Sequence, residues 1–373
     1  MHDQDPLTLM IPGPVSVGDE VLAAVGAPVR PNYGPAWIPL HLELKAALRE
    51  VIGTQGRVYV TAGSGHVAGE VAFQSLFRRG DRILVGNNGF FGERWCEVLR
   101  GMGCEPVAVS AALDERLDPA AFETALAADP GLAGVLVVQL ETGSAILNPV
   151  QEIAALCRRH NRLCIVDAVS SLAGTPLPMD AWGVDVVLSA SQKCLGGLPG
   201  LAIVALNDRA WAAVEAIPMS ESRSWYLNLK TWDKYERESA TWHPYPATMP
   251  SSTMLGLLAA LRTLLAEGLP ARLAAYERRA ARLRAGLAEL GLPLFVPQAW
   301  MAPVLTTVTC PEGVRPLDLA TRVLAAENIM LGTGLPPLQA RLLRIGHMGT
   351  AVTDAHVDRM LSALAAALRA TSR

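Results

Sequence analysis

Three residues with useful chemistry follow three short apolar runs of the sequence. Ser64 lies in the glycine-rich turn TAGSGH after the first run, Asp167 directly follows the second, and Lys193 comes shortly after the third. Runs of this kind, rich in β-branched residues, are typical of buried strands. Open α/β sheets bind ligands beyond the carboxyl ends of their strands. We therefore expect the three residues to share one site.

Each residue taken alone also has an ordinary explanation. A glycine-rich turn that opens a helix suits a phosphate, because free N–H groups and the positive end of the helix dipole meet there, but it can equally be a tight βα turn. It does not match the P-loop or the dinucleotide-binding fingerprint. Asp167 could be a helix cap, a metal ligand or a cofactor partner. Lys193 stands beside small residues, where desolvation lowers the pKa of an amine and makes it a nucleophile for carbonyls.

The combination is more specific than its parts. Pyridoxal 5'-phosphate (PLP) needs an anchor for its phosphate, a carboxylate that keeps its pyridine nitrogen protonated, and a lysine that holds its aldehyde. The turn at Ser64, Asp167 and Lys193 provide these parts in that order, with the lysine 26 positions after the acid. We interpret them as a PLP site and expect no metal.

Four motifs carry a family resemblance: Gly63–His66, Gly86–Arg94, Val166–Ser171 and Ser191–Lys193. They resemble the alanine–glyoxylate and serine–pyruvate aminotransferase group of the class V aminotransferases. The similarity runs from Pro12–Pro14 to beyond Arg344–Gly346. It implies the type I PLP-dependent aminotransferase fold and a homodimer with active sites at the subunit interface.

The resemblance also implies roles for residues around the cofactor ring. Lys193 would bind the cofactor and shuttle the proton, and Asp167 would pair with the pyridine nitrogen. Phe91 stands where many relatives place a tryptophan over the ring, so stacking survives with less area. Thr142 would bond the ring hydroxyl, and Val169 belongs to the same binding site.

Further residues are implied at the phosphate and at the substrate. Ser64, Gly65 and His66 would lie at the phosphate and ring edge, with Gln192 as a neighbour on the phosphate side. Two residues, Tyr245 and Thr248, would reach the phosphate of the other subunit. Arg344 would grip the substrate carboxylate, a task that suits the bidentate guanidinium.

One region departs from the family pattern. Relatives commonly carry a His–Glu–Thr/Ser–Ser–Thr–Gly run before the aspartate, whereas this chain has Gln139–Ala145. Glu141 and Thr142 still align with that run. The change at Gly143–Ala145 falls where substrate and ring meet, so it leaves the amino donor and acceptor open.

The resemblance favours a transaminase that moves an amino group from a small amino acid, alanine or serine, to a 2-oxo acid, glyoxylate or pyruvate. A PLP-dependent lyase of the cysteine-desulfurase or kynureninase kind is the alternative. A desulfurase needs a cysteine on a mobile loop, but Met330–Pro336 has none, and desulfurases usually place histidine where Gln192 stands. A non-catalytic relative would tend to lose Lys193 or Asp167, and both are present.

Composition limits the other classes of function. The formal net charge is −3, without the basic excess that nucleic-acid or anionic-membrane partners require. The apolar runs are far shorter than the roughly 20 residues of a membrane-spanning helix. Six cysteines include no C-x-x-C pair, and the sequence shows no secretory leader, which argues against a zinc site or a disulfide framework. We expect a cytoplasmic protein.

The length of 373 residues favours two domains. Strand-like runs that alternate with helical stretches predict an α/β domain with a mostly parallel sheet, to which the resemblance assigns seven strands. After about residue 251 a long helical stretch, with a break at Gly268–Pro270, leads into a smaller α+β pattern. We therefore predict an N-terminal arm at residues 1–20, a large PLP-binding domain at 21–265 and a small domain at 266–373.

Overall fold

The computed structural model describes residues 6–371, so residues 1–5 of the predicted N-terminal arm lie outside the described part of the chain. The strands are β1 (Thr8–Met10), β2 (Arg57–Ala62), β3 (Arg82–Asn87), β4 (Glu105–Ser110), β5 (Leu132–Val138), β6 (Leu140–Glu141), β7 (Ile146–Leu147), β8 (Leu163–Asp167), β9 (Val186–Ala190), β10 (Leu201–Leu206), β11 (Leu305–Thr309), β12 (Ile329–Thr333) and β13 (Leu342–Gly346). The helices are α1 (Asp19–Gly26), α2 (Ile38–Ile52), α3 (Gly65–Leu76), α4 (Phe90–Gly101), α5 (Pro119–Ala128), α6 (Val150–Arg159), α7 (Met179–Trp182), α8 (Asp208–Glu215), α9 (Leu229–Glu238), α10 (Ser251–Glu267), α11 (Leu269–Glu289), α12 (Pro316–Glu327) and α13 (Asp354–Thr371).

The central sheet has seven strands in the order β2-β10-β9-β8-β5-β3-β4. Only β10 runs antiparallel to its neighbours, and all other pairs are parallel, which confirms the predicted mostly parallel sheet. Because β10 is antiparallel to both β2 and β9, these two strands run in the same direction. The carboxyl ends of β2, β8 and β9 therefore lie at one edge, as the sequence predicts.

Burial explains which strands the sequence reveals. β9 and β10 are buried along their whole length and consist almost entirely of apolar residues, as expected for sheet strands covered on both faces. β4, one of the two edge strands, is mostly exposed, so its residues lack a clear apolar run and the sequence gives no prediction for it.

A second sheet has the order β1-β12-β13-β11, in which β1 pairs in parallel with β12. The N-terminal segment therefore joins the sheet formed by the C-terminal part of the chain, and Met10 is buried in the apolar core of that sheet. The stretch at 330–336, compared above with the mobile loop of desulfurases, instead begins with most of β12. This strand is short and contains a glycine, so the sequence does not predict it.

The predicted helix break is present. α10 ends at Glu267, its C-cap Gly268 adopts φ +85°, and α11 continues at an angle of 87°. Tyr276 and Leu305 belong to the predicted small domain, but they pack in the larger apolar core together with residues of the predicted large domain. The domain limits therefore stay a prediction. Within residues 6–371 no single helix is long and apolar enough to cross a membrane, although α10 and α11 reach that length and composition when taken together.

Candidate active site

In the turn between β2 and α3, neighbouring side chains lie so close to the backbone that two positions leave no room for a Cβ atom. Gly63 adopts φ +150°, and a Cβ there would lie 2.6 Å from Val67 Cγ2, so this position requires glycine. A Cβ at Gly65 would lie 2.6 Å from Val169 Cγ2. Ser64 occupies the N-cap of α3, but within the described structure its hydroxyl makes no capping hydrogen bond, which leaves it available to a ligand.

Asp167, the last residue of β8, is a buried carboxylate with a neutral N–H donor on each oxygen. Val169 N donates to Oδ1 at 2.8 Å, and the indole Nε1 of Trp95 donates to Oδ2 at 2.7 Å. Burial raises the pKa of Asp167, while these two donors and the charge of Lys193 oppose the shift. The carboxylate is thus held in a fixed orientation next to the cavity.

Lys193 follows β9 and is partly buried. Desolvation lowers its pKa to about 8, and the positive charge of Arg344 acts in the same direction. Its Nζ donates to the carbonyl oxygen of Pro12, which belongs to the N-terminal segment. Gly13 adopts φ +94°, and a Cβ there would lie 2.7 Å from Nζ, so the segment passes directly over the amine.

One cavity of about 200 Å³ brings most of the predicted residues together. Its lining includes Ser64, Gly65, His66, Phe91, Thr142, Asp167, Val169, Gln192 and Lys193. The cavity also has an aromatic side, because the His66 ring lies 5.2 Å from Trp95 and 6.4 Å from Phe91 between ring centroids. The cavity thus brings these nine residues together, and the role of each one stays a prediction.

Glu141 connects the aromatic side to the turn that departs from the family pattern. Its carboxylate is fully buried and accepts hydrogen bonds from Phe91 N at 2.9 Å, Gly92 N at 3.4 Å and Gly143 N at 2.9 Å. The first two donors lie in the first turn of α4, where a carboxylate compensates the free N–H groups. Burial raises the pKa of Glu141 to about 7 against these three donors.

Arg344 lies in β13 of the second sheet and points toward the cavity edge. Its Nε donates to Thr333 O at 2.6 Å and its Nη1 to Thr142 O at 3.0 Å. Desolvation lowers its pKa to about 10, against the opposing charge of Glu141. Arg344 is not among the residues that line the cavity within the described structure, but its charge acts on Lys193.

Tyr245 and Thr248 lie outside this cavity, as far as the described residues show. The Tyr245 hydroxyl is buried in its own chain, where it accepts from Trp37 Nε1 at 2.9 Å and bonds His41 Nδ1 at 2.8 Å. Thr248 is exposed on the surface.

The residues fit PLP on three observations of the structure. The His66 Nε2 and Gln192 Oε1 atoms are buried and, among residues 6–371, have no hydrogen-bond partner although both residues line the cavity. Such atoms call for a polar ligand. The Ser64 hydroxyl and helix N-terminus suit its phosphate. The Lys193 amine, with its lowered pKa, suits its aldehyde.

Sequence reasoning missed three contributors to the site: Trp95, Glu141 as an anchor, and the segment at Pro12–Gly13. Each meets its partner through a contact distant in sequence. The Pro–Gly–Pro run at 12–14 was the available signal for the segment, because glycine between prolines marks a backbone with special requirements.

Comparison with known proteins agrees with this geometry. The family model described as aminotransferase class-V matches residues 37–360. The chain is 34% identical to a soluble hydrogenase small subunit of Synechococcus sp., over 98% of this chain and 94% of that protein. It is 30% identical to alanine–glyoxylate aminotransferase of Rattus norvegicus, over 97% of this chain and 87% of that protein. The crystal structure of an alanine–glyoxylate aminotransferase from Nostoc sp. superposes with a TM-score of 0.93 at 31% identity, covering 98% and 96% of the two chains.

The chain therefore belongs to the class-V aminotransferase family. It has the type I fold of that family and is a PLP-dependent aminotransferase.

Proposed function

We propose that the enzyme transfers the amino group of a small amino acid, alanine or serine, to glyoxylate or pyruvate. The observation that carries the proposal is the single cavity that joins the turn at Ser64, Asp167 and Lys193. The names of the rat and Nostoc relatives support glyoxylate as the acceptor. When bound, PLP supplies an electron sink that stabilises negative charge at the substrate Cα.

The residues of this chain divide the remaining work. Ser64, Gly65, His66 and Gln192 would hold the phosphate and the ring edge. Asp167 would hold the proton on the pyridine nitrogen, because a buried carboxylate favours a positive partner.

Phe91 and Val169 would lie beside the ring, and Thr142 would bond its hydroxyl. Lys193 would hold the cofactor aldehyde, and its amine would accept the proton from the substrate Cα. A pKa of about 8 suits the amine for that transfer near neutral pH.

The substrate is recognised through its carboxylate. Arg344 is fixed by two backbone carbonyls and carries the planar group that pairs with a carboxylate.

The desulfurase form of the lyase alternative needs an accessible thiol, but all six cysteines are buried among residues 6–371. The stretch at 330–336 contains no cysteine. Cys310 is buried, and burial raises the pKa of its thiol to about 11. The thiol of Cys194 has its pKa raised to about 12 by burial. Burial therefore disfavours, in both groups, the thiolate that sulfur transfer requires at neutral pH.

We also propose a homodimer in the cytoplasm. Apolar residues exposed at the surface, among them Leu22, Leu42 and Trp242, suit burial against a second subunit. Tyr245 and Thr248 would reach the phosphate of the neighbouring subunit, and Thr248 is exposed on the surface. Buried free thiols fit a reducing compartment.

A half-reaction screen tests the function. The holoenzyme is mixed with single amino acids while the absorbance of the lysine-bound cofactor is followed, and single 2-oxo acids are then added. Alanine or serine should remove the absorbance, and glyoxylate or pyruvate should restore it. Failure of every amino acid to change the spectrum, or release of sulfide from cysteine, would contradict the proposal.

A further inference from the structure

The roles proposed above do not use the buried contact between Trp95 and Asp167. The indole Nε1 of Trp95 donates to Asp167 Oδ2 at 2.7 Å, and the two residues are separated by 72 positions in the chain. Trp95 is 1% exposed and Asp167 5% exposed. A hydrogen bond to a charged group in such a setting is stronger than one between neutral groups.

The surrounding structure holds the indole in place. A Cβ at Gly69 would overlap the outer ring of Trp95, so glycine on α3 provides the room for it. Phe73, one turn further along α3, packs edge-on with a ring-centroid distance of 5.5 Å. The indole therefore has one available orientation, and that orientation directs its N–H at the carboxylate.

The contact affects how Asp167 can meet a cofactor. Burial raises the pKa of Asp167, which favours the neutral acid. The Trp95 N–H on one oxygen and the Val169 N–H on the other favour the carboxylate and fix its plane. Loss of the indole donor would leave Oδ2 without its partner and the carboxylate less strongly ionised.

We propose that Trp95 is a positioning residue that keeps Asp167 ionised and oriented toward the pyridine nitrogen of PLP. This proposal rests on the proposed role of Asp167. The role of Trp95 then differs from the roles of the other residues that line the cavity. Trp95 acts on the cofactor through Asp167 and not through a contact of its own with the ring.

The test is a double-mutant cycle on PLP affinity, measured as the dissociation constant for PLP added to apoprotein. Trp95→Phe keeps an aromatic ring and removes the donor, and it should weaken PLP binding about tenfold, equivalent to about 1.4 kcal/mol. Asp167→Asn should weaken it by about a hundredfold or more. In the Asp167→Asn background, Trp95→Phe should change affinity by about twofold or less, because two residues that act as a unit are not additive.

Trp211→Phe is the matched control. The Trp211 indole is also mostly buried and donates to a carboxylate, Glu215 Oε1, at 2.8 Å, but it lies outside the cavity. Its loss should leave PLP affinity unchanged. If Trp95→Phe does not fold, Gly69→Ala makes the same test, since its Cβ would displace the indole while the N–H stays in the chain.

The outcomes distinguish this proposal from the function on which it rests. Equal losses of affinity from Trp95→Phe in both backgrounds would show that Trp95 acts by itself, and no loss beside wild type would show that the contact is idle. Either result overturns the positioning role alone. Unchanged affinity in Asp167→Asn overturns the role of Asp167 and the positioning role together.

Discussion

Arg344 Nη1 donates to the carbonyl oxygen of Thr142 at 3.0 Å, across a separation of 202 residues. This bond joins the second sheet to the turn that follows β6, because Arg344 lies in β13. Its Nε is bonded to Thr333 O as well, so the guanidinium is already fixed before a substrate arrives. A fixed group costs less conformational entropy when it binds a ligand.

Arg344→Lys should therefore weaken substrate binding, although the lysine keeps the positive charge. A lysine cannot form two parallel bonds to a carboxylate while keeping both backbone anchors. We expect kcat/KM to fall by a factor equivalent to roughly 2–4 kcal/mol of transition-state stabilisation. The fall should be parallel for the amino acid and the 2-oxo acid, and PLP affinity should be unchanged. Steady-state kinetics with both substrates and a PLP titration check this. Kinetics equal to wild type would assign the carboxylate to another group.

Gly13→Ala should disturb the Lys193 amine. A Cβ there would lie 2.7 Å from Nζ, and the backbone has φ +94°. We expect PLP affinity to fall about tenfold or more, since the segment at Pro12 must move away from the lysine. Gly80→Ala is the control, because Gly80 has φ +82° with nothing within 4 Å of a Cβ. Equal PLP affinity in the two variants would show that the clash at Gly13 is harmless.

The pH dependence of cofactor capture should report the pKa of Lys193. Only the neutral amine attacks the PLP aldehyde, and desolvation lowers this pKa to about 8. The rate of PLP incorporation into apoprotein should rise with pH and level off above about 8. Arg344→Met removes a charge that lowers the pKa and should move the midpoint upward, whereas Arg344→Lys should not. A midpoint near the ordinary lysine pKa of about 10.4 would contradict this environment.

The ionisation of Glu141 should make the free energy of unfolding decrease as the pH rises. Its pKa is raised from 4.5 to about 7 by burial, so the folded protein binds more protons than the unfolded protein between these values. The contribution of protonated Glu141 to the free energy of unfolding is fully present below pH 4.5 and is lost as the pH passes 7. Glu141→Gln removes it, so the stability of wild type relative to this variant should fall by up to about 3 kcal/mol between pH 4.5 and 8. Parallel urea-unfolding profiles would show that Glu141 does not titrate in this range.

The sequence revealed those site residues that follow buried strands. Ser64, Asp167 and Lys193 were predictable because β2, β8 and β9 are apolar runs whose carboxyl ends must lie at one edge of a parallel sheet. Local pattern was sufficient for their positions, and the family resemblance added Phe91, Thr142 and Gln192.

The contacts that orient those residues were not predictable. Trp95 reaches Asp167 because α4 packs beside the sheet, and Pro12 reaches Lys193 because β1 joins the second sheet. Such contacts depend on how distant elements pack, and no periodicity in the sequence records that.

The most direct test of the account is to locate the lysine that binds PLP. The chain has four lysines: Lys45, Lys193, Lys230 and Lys234. Lys45 is paired with Glu236, and Lys230 donates to backbone carbonyls, so neither offers a free amine to the cavity. Borohydride reduction of the holoenzyme followed by peptide mapping should place the pyridoxyl label on Lys193, and Lys193→Ala should carry none. A label on any of the other three lysines would contradict the active site described above.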